Sequence, residues 1–562
     1  MSEDFHFSPR PNRAAEVGWR QWSEAAFEEA AAADRPILLS ISAVWCHWCH
    51  VMDETTYSDQ RVIEKIKNLY IPIRVDNDLR PDINQRYNMG GWPTTAFLTP
   101  RGDVLTGATY MPADQMNGAL DEVAQFYRTQ RPQIDARILE NRRRSSEVVA
   151  ASAGTPDPAL VNLVLDAAVS SYDATYGGFG SAPKFPQTDA LQLLAEQAVV
   201  RDRPDLLDMA RHSLEAMGAG GTYDSVEGGF FRYSTTQDWS VPHFEKMLED
   251  HAGLVAGLAR AGLGDLLDRT TGYLDTVLRD PATGLYAGSQ DADEDYYAQD
   301  AGGRRGRVAP YVDRRVYTSW NAALAVAYLE ADALLERPHL KSHAQSLLEK
   351  LFADRFSETD GLQHAEGVGG QLSDQVWGLL AAIRAYSAGL GGDWLELARS
   401  LAQQVEAEYG DTDLGGFFDH ALLGPLGRLE DRIKPLPENA LAALAFFELD
   451  TLEGDPDARN RRTGFGALES VAELPARYGI MAASFARSYD RYLRPAIKVT
   501  TGNPGLVRAA LAAYPYAVIE PSTEDRAIVC VGTECLAPLT TPDALRAALA
   551  EAAYGPRAND RV

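Results

Sequence analysis

The pattern of apolar and polar positions divides the chain into three parts. In the first part, short apolar runs such as PILLSISAV and YIPIRV alternate with segments of helical periodicity such as SDQRVIEKIKNL. Short runs rich in β-branched residues predict strands, and apolar residues three and four positions apart predict helices. The predicted order over about 120 residues is strand, Cys-x-x-Cys, two helices, strand, helix, proline-led strand, strand and helix. This is the order of a thioredoxin-like domain.

The second part, from residue 158 to about 495, consists of Ala- and Leu-rich helical segments separated by loops that contain glycine. Most loops follow one another at intervals of about 50 to 60 residues, the length of two helices and two loops. They are YGGFG, EGGFFRY, TGLYAGS, DGLQHAE and LGGFFDH. We count roughly twelve helix candidates and predict a closed (α/α)6 toroid of six hairpins, in which inner helices pack against outer ones. An open helical solenoid is the alternative.

The remaining stretches set the predicted domain boundaries. The polar stretch RILENRRRSSEVVAASAGTPDP lacks a sustained apolar face at its end and is interpreted as a linker. Near the C-terminus, AIKVTTG, YAVIEP and RAIVCVG predict short strands, and TPDALRAALAE predicts a helix. We therefore predict a multidomain α/β and α protein, with a thioredoxin-like domain and linker at 1–154, the toroid at 155–496 and a small α/β appendage at 497–562.

Composition restricts the partners that this chain can have. With 562 residues, 45% of them apolar and 24% charged, it has ample material for several packed cores. A formal net charge of −27 opposes binding to a phosphate backbone, so we expect no nucleic acid. The sequence holds no apolar run of about 18 residues and begins without an export signal, so we expect a cytoplasmic protein that does not bind membranes. The oligomeric state stays open.

The segment WCHWCH carries the clearest chemistry. A strand that ends in Cys-x-x-Cys and opens a helix places the first sulfur beside unpaired N–H groups, which lowers the pKa of that thiol. We assign Cys46 as the nucleophile and Cys49 as the resolving thiol, with His47 adding positive charge when it is protonated. Two buried thiols and a zinc site that includes His47 or His50 are the alternatives. Zinc lacks a visible second pair of ligands, so we expect no metal and no cofactor.

The loop Gly90-Gly91-Trp92-Pro93 supports the redox interpretation. Thioredoxin-like domains carry a cis-proline loop that faces the two sulfurs, so we predict a cis bond before Pro93 and place Trp92 and Pro93 in the site. The proline there excludes metal and exposes backbone to an extended substrate. Unconstrained X-Pro bonds are mostly trans, which makes the cis geometry a specific expectation.

A second candidate site lies in the predicted toroid, where the glycine loops and the starts of the inner helices should meet at one mouth. Pro242 is suited to begin a helix, which would place His243 and Glu245 in its first turn. His243 would move a proton at a carbon next to a carbonyl, with Glu245 or Asp291 as its acid or base partner. The other candidates are aromatic residues that would stack on a sugar and polar residues that either tie loops together or touch substrate. They are Tyr233, Trp239, Trp320, Asn321 and Asp374.

Two further motifs are weaker. The run from Asp291 through Asp293 to Asp295 opens like a calcium loop, but Tyr296 and Gly302 replace the glycine and the glutamate that such a loop requires. We expect a solvated acidic turn or a pair of carboxylates at the toroid mouth. Cys530 and Cys535 flank a turn and are expected to be ordinary reduced thiols, with a second redox pair as the alternative.

Several long motifs resemble one known family. They are SAVWCHWCHVMDETTYSDQRVIEKIKNLYIPIRVDNDLRPDINQRY, GGWPTTAFLTP, TGATYMP, APKFPQ, GGTYDSVEGGFFRYSTTQDWSVPHFEKML, GSQDADED, YTSWNAALA and VCVGTECLAPLTTPDALRAAL. These motifs look like the YyaL and spermatogenesis-associated thioredoxin family. The resemblance implies an N-terminal thioredoxin-like domain fused to a six-hairpin toroid similar to those of glycosidases and sugar 2-epimerases. The chain departs from the family pattern between GSQDADED and YTSWN, where it is shortened, and after residue 420.

Three functions are compatible with these observations. The first is thiol–disulfide oxidoreduction at Cys46 and Cys49 on a thiol or disulfide protein, with the toroid selecting the substrate. The second is carbohydrate isomerisation, epimerisation or hydrolysis in the toroid around His243, Glu245 and Asp291. The third is a binding scaffold for a protein or glycan without catalysis. We rank them in this order because only the first function has a motif, Cys-x-x-Cys, whose spacing itself explains the chemistry.

Overall fold

The computed structural model describes residues 5–150, 152–421, 426–455 and 457–555, and of residues 144–150 only the backbone. The outer ends of the first and last predicted domains, 1–4 and 556–562, lie outside the described residues. Within the described ranges, no helix combines the length and the apolar character needed to cross a membrane. Mostly helical structure in the middle is flanked by two small α/β units.

The first unit is a thioredoxin-like sheet with helices on both faces. Its elements are α1 (Glu24–Ala33), β1 (Ile37–Ser42), α2 (His47–Glu54), α3 (Gln60–Leu69), β2 (Ile71–Asp76), α4 (Pro81–Tyr87), β3 (Thr94–Leu98), β4 (Val104–Ala108), α5 (Ala113–Thr129) and α6 (Arg131–Ala150). The strand order is β2-β1-β3-β4, with β1 parallel to β2 and antiparallel to β3. All of β1 is buried, which explains its continuous apolar run. The predicted order of elements is confirmed.

The linker interpretation is wrong up to Ala150, because that stretch forms α6. Several contacts hold this helix on the domain, and one of them is the ion pair of Arg131 with Asp34. Ile134 is buried, and the Arg142 guanidinium lies 3.0 Å from a carboxylate oxygen of Asp103. Polar residues therefore dominate a surface helix that is anchored at few points, a pattern that is difficult to distinguish from a linker in sequence.

The second unit is a double ring of helices. The inner helices are α8 (Thr188–Val200), α10 (Leu248–Ala261), α14 (Thr318–Leu335), α16 (Leu372–Ser387), α18 (Leu436–Glu453) and α21 (Ala483–Tyr492). The outer helices are α7 (Ala159–Ser171), α9 (Pro204–Ala219), α11 (Gly264–Tyr273), α15 (Pro338–Arg355), α17 (Trp394–Gln404) and α19 (Arg459–Glu469). The short elements of the connecting loops are β5 (Tyr233–Ser234), β6 (Pro242–His243), β7 (Lys246–Met247), β8 (Ser289–Gln290), α12 (Glu294–Tyr297), α13 (Ala301–Arg304), β9 (Val312–Asp313), β10 (Phe356–Ser357), β11 (Gly361–Leu362) and α20 (Pro475–Tyr478).

Contacts between the inner helices close the ring. Each of α8, α10, α14, α16 and α18 packs against the next inner helix, and α21 packs against both α18 and α8. Each inner helix also contacts one outer helix, and the partner of α21 is α7, the first helix of the unit. The closed toroid of six hairpins is therefore confirmed. The open solenoid is wrong because its first and last helices would not meet.

The glycine loops repeat one hydrogen-bonded design. In four of the described loops an aspartate N–H donates to a carbonyl five residues later, as from Asp224 to Gly229 over 3.0 Å. The fourth residue of an inner helix then accepts a main-chain N–H of the loop. These accepting residues are His251, Asn321, Gln375 and Asn439. The repeat fixes the register of each loop on the inner helix that follows it, and thereby sets which side chains face the centre of the ring.

The third unit lies at one end of the ring, and the thioredoxin-like domain lies at the other. Its elements are β12 (Ile497–Thr501), α22 (Pro504–Ala513), β13 (Val518–Pro521), β14 (Ile528–Val531), β15 (Glu534–Cys535) and α23 (Pro542–Tyr554). The strand order is β13-β12-β14-β15, and β13 packs against α16 and α18. Cys530 and Cys535 are direct neighbours across β14 and β15 and form a disulfide. The expectation of two reduced thiols is wrong, because antiparallel pairing brings their Cα atoms to 4.0 Å.

Candidate functional site

The thioredoxin-like domain is docked over one mouth of the helical ring. Arg86 and Asp419 form a buried ion pair of 2.7 Å across the boundary between the two units. Elsewhere along the boundary, His364 Nε2 donates to the carbonyl oxygen of Asp78 over 2.7 Å. Because a buried ion pair is costly to separate, these contacts hold the domain in a defined position on the ring.

The predicted redox pair lies at this boundary. Cys46 is the N-cap of α2, and its sulfur accepts the N–H of Cys49 over 3.2 Å. The two cysteines form a disulfide, and their side chains are only 4% and 2% exposed. Met247 and Trp320 of the ring pack against them. The sulfur pair has the predicted position at a helix start, but the ring covers it.

The proline loop has the predicted geometry. The peptide bond between Trp92 and Pro93 is cis, as predicted, and Pro93 is buried. Trp92 packs edge-on against Trp45 with ring centroids 5.6 Å apart. The half-buried His47 ring packs against Trp48, which is 47% exposed. The tryptophans of WCHWCH thus divide between an interface residue, Trp45, and a surface residue, Trp48.

Three of the residues predicted for the toroid site come together. His243 Nδ1 and Glu245 Oε2 are hydrogen-bonded at 2.5 Å, and the Tyr233 ring stacks on the His243 ring at 4.8 Å. The charges of Glu245 and Asp293 add to burial in raising the pKa of Asp291 to about 8. Asp291 also lies 3.6 Å from His50 of the thioredoxin-like domain.

This contact between Asp291 and His50 is not an ion pair at neutral pH. Burial lowers the pKa of His50 to about 3, so its imidazole is neutral, while the Asp291 carboxyl holds its proton. His243 and Glu245 are joined by a hydrogen bond, and Asp291, which accepts the N–H of Ala292, lies against His50 of the thioredoxin-like domain. Together these residues form a polar junction between the two units.

The helix predicted to begin at Pro242 does not form. Pro242 and His243 are β6, paired with β5, and α10 begins only at Leu248. The hairpin is closed by hydroxyl groups, since Ser234 Oγ donates to the carbonyl of Thr236 and Thr235 Oγ1 donates to the carbonyl of Val241. These local bonds compete successfully with helix formation.

Four other predicted site residues have structural roles. Trp239 is fully buried and donates its Nε1–H to the carbonyl of Tyr176, so it cannot stack on a ligand. Asn321 is fully buried and belongs to the loop-binding repeat described above. Asp374 accepts the N–H of Ser319 and caps its own helix.

Asp293 is the N-cap of α12 and accepts the N–H of Tyr296. Of the two expectations for this run, the solvated acidic turn fits Glu294 and Asp295, which are exposed, whereas Asp293 begins a helix and Asp291 is buried at the domain boundary. Among the described residues, no cluster of three or more His, Cys, Asp or Glu side chains has an arrangement that would hold a metal ion.

Between the two units lies a chamber of about 510 Å³. Its walls are the inner helices, from residues of their first turns, such as Glu249, to residues further along, such as Arg260 and Arg384. Its cover, which we call the roof, is the face of the thioredoxin-like domain formed by Trp45, Asn77, Asp78, Asn84 and Trp92. Trp320 and Trp377 contribute aromatic surface on the ring side. A chamber of this size accommodates a small molecule of one or two rings.

Three acidic side chains line this chamber and retain free hydrogen-bonding capacity. Within the described part of the chain, Asp250 Oδ2 and Glu438 Oε2 have no hydrogen-bond partner. Enclosure within the ring raises the pKa of Glu249 to about 7, and the neighbouring charges of Asp250 and Glu438 raise it as well, although the residue is exposed to the solvent of the chamber. Burial likewise raises the pKa of Glu438 to about 7 and that of Asp250 to about 6. Such carboxyl groups can both donate and accept a proton near neutral pH.

The sequence analysis missed Glu249 and Glu438, although the sequence contains a signal for them. The loop-binding residues His251 and Asn439 occupy the fourth position of their inner helices, and the chamber is lined by residues one or two positions earlier than that. Once the repeat is recognised, Glu249 and Glu438 are the acidic residues that it directs to the centre of the ring.

Comparison with known proteins identifies the first unit. Residues 10–144 match the family model Thioredox_DsbH, described as a protein of unknown function, DUF255. Spermatogenesis-associated protein 20 from Homo sapiens is 33% identical over 306 residues, which are 49% of this chain and 39% of that protein. The thiol:disulfide interchange protein DsbD from Campylobacter jejuni is 31% identical over 93 residues, 16% of each protein. The resemblance inferred from the sequence motifs is confirmed.

The matched region spans about two fifths of spermatogenesis-associated protein 20. Among solved structures, a D-mannose isomerase superposes with a TM-score of 0.47 at 13% identity, covering 59% of this chain and 96% of the isomerase. The sequence matches make the first unit a DsbD-related thioredoxin-like domain, which carries Cys46 and Cys49, and the helix contacts described above make the second unit a six-hairpin toroid.

Proposed function

We propose that this chain catalyses proton transfer on a small carbohydrate-like compound bound in the chamber between the toroid and the roof. The observation that carries this proposal is the pair Glu249 and Glu438, two carboxyl groups that face one chamber with pKa values near 7. Catalytic acids and bases need pKa values near the working pH, and structural carboxylates rarely have them without a partner.

The reaction that fits is isomerisation or epimerisation next to a carbonyl group. One of the two glutamates, as a carboxylate, takes the proton from the carbon beside the carbonyl, while the other, as a carboxylic acid, gives its proton to the carbonyl oxygen. The product of this step is an enediol. Return of a proton to either carbon gives an isomer or an epimer and restores both side chains, so no further reactant is needed.

The surfaces around the two glutamates suit a sugar ring. Trp320 and Trp377 line the chamber and offer apolar faces to the C–H groups of a ring. The polar groups of Ser319, Ser373 and Asn84 line the same space and supply hydrogen-bonding partners for hydroxyl groups. The roof limits the length of a substrate, which favours a free sugar over a polymer.

The test is deuterium exchange in full-length protein. Reducing sugars and keto sugars are incubated in D2O, and incorporation of deuterium at the carbon beside the carbonyl is followed by NMR. We expect incorporation with at least one sugar and its loss in Glu249→Gln and in Glu438→Gln. Glu366→Gln, which alters an exposed glutamate outside the chamber, is the matched control. Incorporation that persists in both chamber variants would refute the proposal.

A second candidate function is thiol–disulfide exchange, favoured by the position of Cys46 at a helix start beside a cis-proline loop. Because Met247 and Trp320 cover the pair, the reactant in this arrangement is a small thiol. A thiolate attacks the Cys46 sulfur, forms a mixed disulfide and releases Cys49 as the thiolate. A second small thiol then releases the first as a disulfide and leaves two reduced cysteines.

Mass spectrometry with glutathione tests this candidate. When the reduced protein is incubated with oxidised glutathione, the Cys46 thiolate attacks the glutathione disulfide and releases one reduced glutathione, so Cys49→Ser should retain glutathione on Cys46, whereas Cys46→Ser should not. Trp320→Ala should accelerate adduct formation by uncovering the pair. Measurements are made in a background with Cys530→Ser and Cys535→Ser, which removes the other disulfide. Equal labelling of both single variants would contradict the assigned roles.

A further inference from the structure

Arg232 reaches from the toroid to two aromatic rings of the roof. Its guanidinium carbon lies 4.3 Å from the ring centroid of Trp45 and 5.2 Å from that of Trp92. Both tryptophans belong to the thioredoxin-like domain, and all three residues line the chamber. Contact of a guanidinium with aromatic faces fixes its plane and position, because the positive charge is attracted to the electron-rich faces of the rings.

The charge of Arg232 has no partner within the part of the chain that the structure describes. Its main-chain N–H donates to the carbonyl of Glu245 over 2.8 Å, but its guanidinium makes no hydrogen bond and no ion pair there. Glu249 and Asp250 are near enough for the Arg232 charge to affect their pKa values, yet neither forms an ion pair with it. Most other arginines at the domain boundary are paired, as Arg86 is with Asp419.

Aromatic contact and free N–H groups together define a binding direction. The centroids of the two indole rings are 5.6 Å apart, so both rings lie on one side of the guanidinium and leave some of its N–H donors uncovered in the chamber that all three residues line. The edge of a guanidinium matches the geometry of a carboxylate or phosphate, which accepts two parallel hydrogen bonds. A neutral hydroxyl group would use only one donor of this fork.

We infer that Arg232 binds an anionic group of the substrate, so that the chamber takes a small polyhydroxylated compound that carries one carboxylate or phosphate. This inference rests on the proposed function for the identity of the chamber as the site, and it adds the charge class of the substrate. It also gives the roof a direct part in binding, since Trp45 and Trp92 hold the arginine from the other domain.

The alternative role for Arg232 is to balance the charges of Glu249 and Asp250. In that case the arginine would act on the titration of these carboxyl groups and would not discriminate between charged and neutral ligands. The two roles therefore differ in ligand selectivity, which can be measured without any turnover.

The experiment is calorimetric titration of the full-length protein with three probes: D-glucose, D-glucuronate and D-glucose 6-phosphate. We expect at least one anionic probe to bind about 10- to 100-fold more tightly than glucose, the gain expected for a charge-assisted bidentate pair. The two anionic arms distinguish a carboxylate site from a phosphate site. Arg232→Met should abolish this preference, and Arg232→Lys should keep part of it.

Arg269→Met is the matched control, because Arg269 also lies over an aromatic ring, that of Tyr223, outside the chamber. Circular dichroism establishes whether each variant is folded. If Arg232→Met does not fold, Arg232→Lys takes its place in the comparison. Equal binding of anionic and neutral probes by the natural protein would overturn the inference. The inference would also be overturned if Arg232→Met still bound anionic probes more tightly than glucose, whether or not the pH dependence of deuterium exchange had shifted.

The outcomes separate this inference from the proposed function. Selective anion binding that depends on Arg232, without deuterium exchange in any sugar, would support the anion site and refute proton-transfer catalysis. Deuterium exchange in neutral sugars that is unaffected by Arg232→Met would support the catalytic proposal and refute the anion site.

Discussion

Glu245 and Glu249 lie four positions apart and belong to two different kinds of acidic cluster. Glu245 is hydrogen-bonded to His243 and is part of the polar junction between the two domains. Glu249 faces a chamber shared with Asp250 and Glu438, two carboxyl groups that each leave one oxygen without a partner. The first arrangement uses polar groups to join two domains, and the second keeps them available for a ligand. Unfilled hydrogen-bonding capacity, more than the density of polar residues, distinguishes a candidate site from a structural junction.

The largest expected effect concerns Glu438. We predict that Glu438→Gln lowers kcat/KM by about 10²- to 10⁴-fold, the usual contribution of a general acid or base. The variant should be at least as stable as the natural protein at pH 8, because it removes a carboxyl group whose charged form is desolvated. Steady-state kinetics and urea unfolding measure the two quantities. If the lost activity were explained by a lower folded fraction, Glu438 would have a structural role and not a catalytic one.

The next prediction compares how Asn321 and Ser319, two residues of α14, affect the free energy of unfolding. Asn321→Ala should lower the free energy of unfolding by about 2–4 kcal/mol, because it leaves the N–H and the carbonyl of Tyr286 unsatisfied in the core. Ser319→Ala, two positions earlier and facing the chamber, should change it by less than about 0.5 kcal/mol. Urea unfolding of both variants is the measurement. Equal losses would show that the loop repeat does not carry this stability.

A smaller loss is expected at the polar junction itself. Glu245→Gln should cost about 1–2 kcal/mol of unfolding free energy, since it removes the charge from a buried hydrogen bond to His243. Any decrease in activity should follow the decrease in the folded fraction. Parallel measurements of thermal unfolding and activity test this prediction. A large loss of activity in fully folded protein would indicate that Glu245 has a catalytic role.

The last effect is a pH dependence at Asp291, which is small over one pH unit but accumulates over several. Burial, together with the charges of Glu245 and Asp293, raises the folded-state pKa of Asp291 to about 8, so the fold favours the protonated form. Stability from this group is fully present below its unfolded pKa near 4 and is lost as pH rises through 8. Asp291→Asn should therefore gain on the natural protein by up to about 1.4 kcal/mol per pH unit between those limits.

Urea unfolding at pH 5, 6, 7 and 8 measures this difference. His50, which contacts Asp291, is neutral in the folded protein throughout the range because burial lowers its pKa to about 3, but it protonates in the unfolded chain below about pH 6.5 and so opposes the Asp291 trend. Both proteins carry His50, so this contribution cancels in the difference between them. A constant difference between the two proteins across the range would mean that Asp291 is ionised in the fold.

The architecture followed from the sequence because local patterns determine it. The apolar run before Cys46 predicted β1, and the spacing of the glycine loops predicted six hairpins, whose closure the contact between α7 and α21 confirms. Each of these patterns depends on residues close together in the chain. Element order could therefore be predicted well, whereas α6 and the hairpin at Pro242 could not, because a few long-range or side-chain contacts determine them.

The site was harder to predict because it depends on contacts between distant segments. The cover over Cys46 and Cys49 comes from Met247 and Trp320, about 200 and 270 positions later, and no local pattern reports such packing. Glu249 was overlooked because its neighbour Glu245 has a histidine beside it in sequence. Which of the two faces the chamber depends on where α10 begins, and that is set by the loop repeat.

The seam between α7 and α21 joins the first and the last helix of the ring, more than 300 positions apart. During synthesis on the ribosome the ring can close only after Tyr492 has emerged, whereas the thioredoxin-like domain is complete much earlier. We expect the sulfur pair of a nascent chain to be open to cellular thiols during that interval and to be sealed afterwards. Alkylation of Cys46 in ribosome-bound chains of increasing length would show at which length the pair becomes protected. Protection of Cys46 before α21 has been synthesised would contradict this expectation.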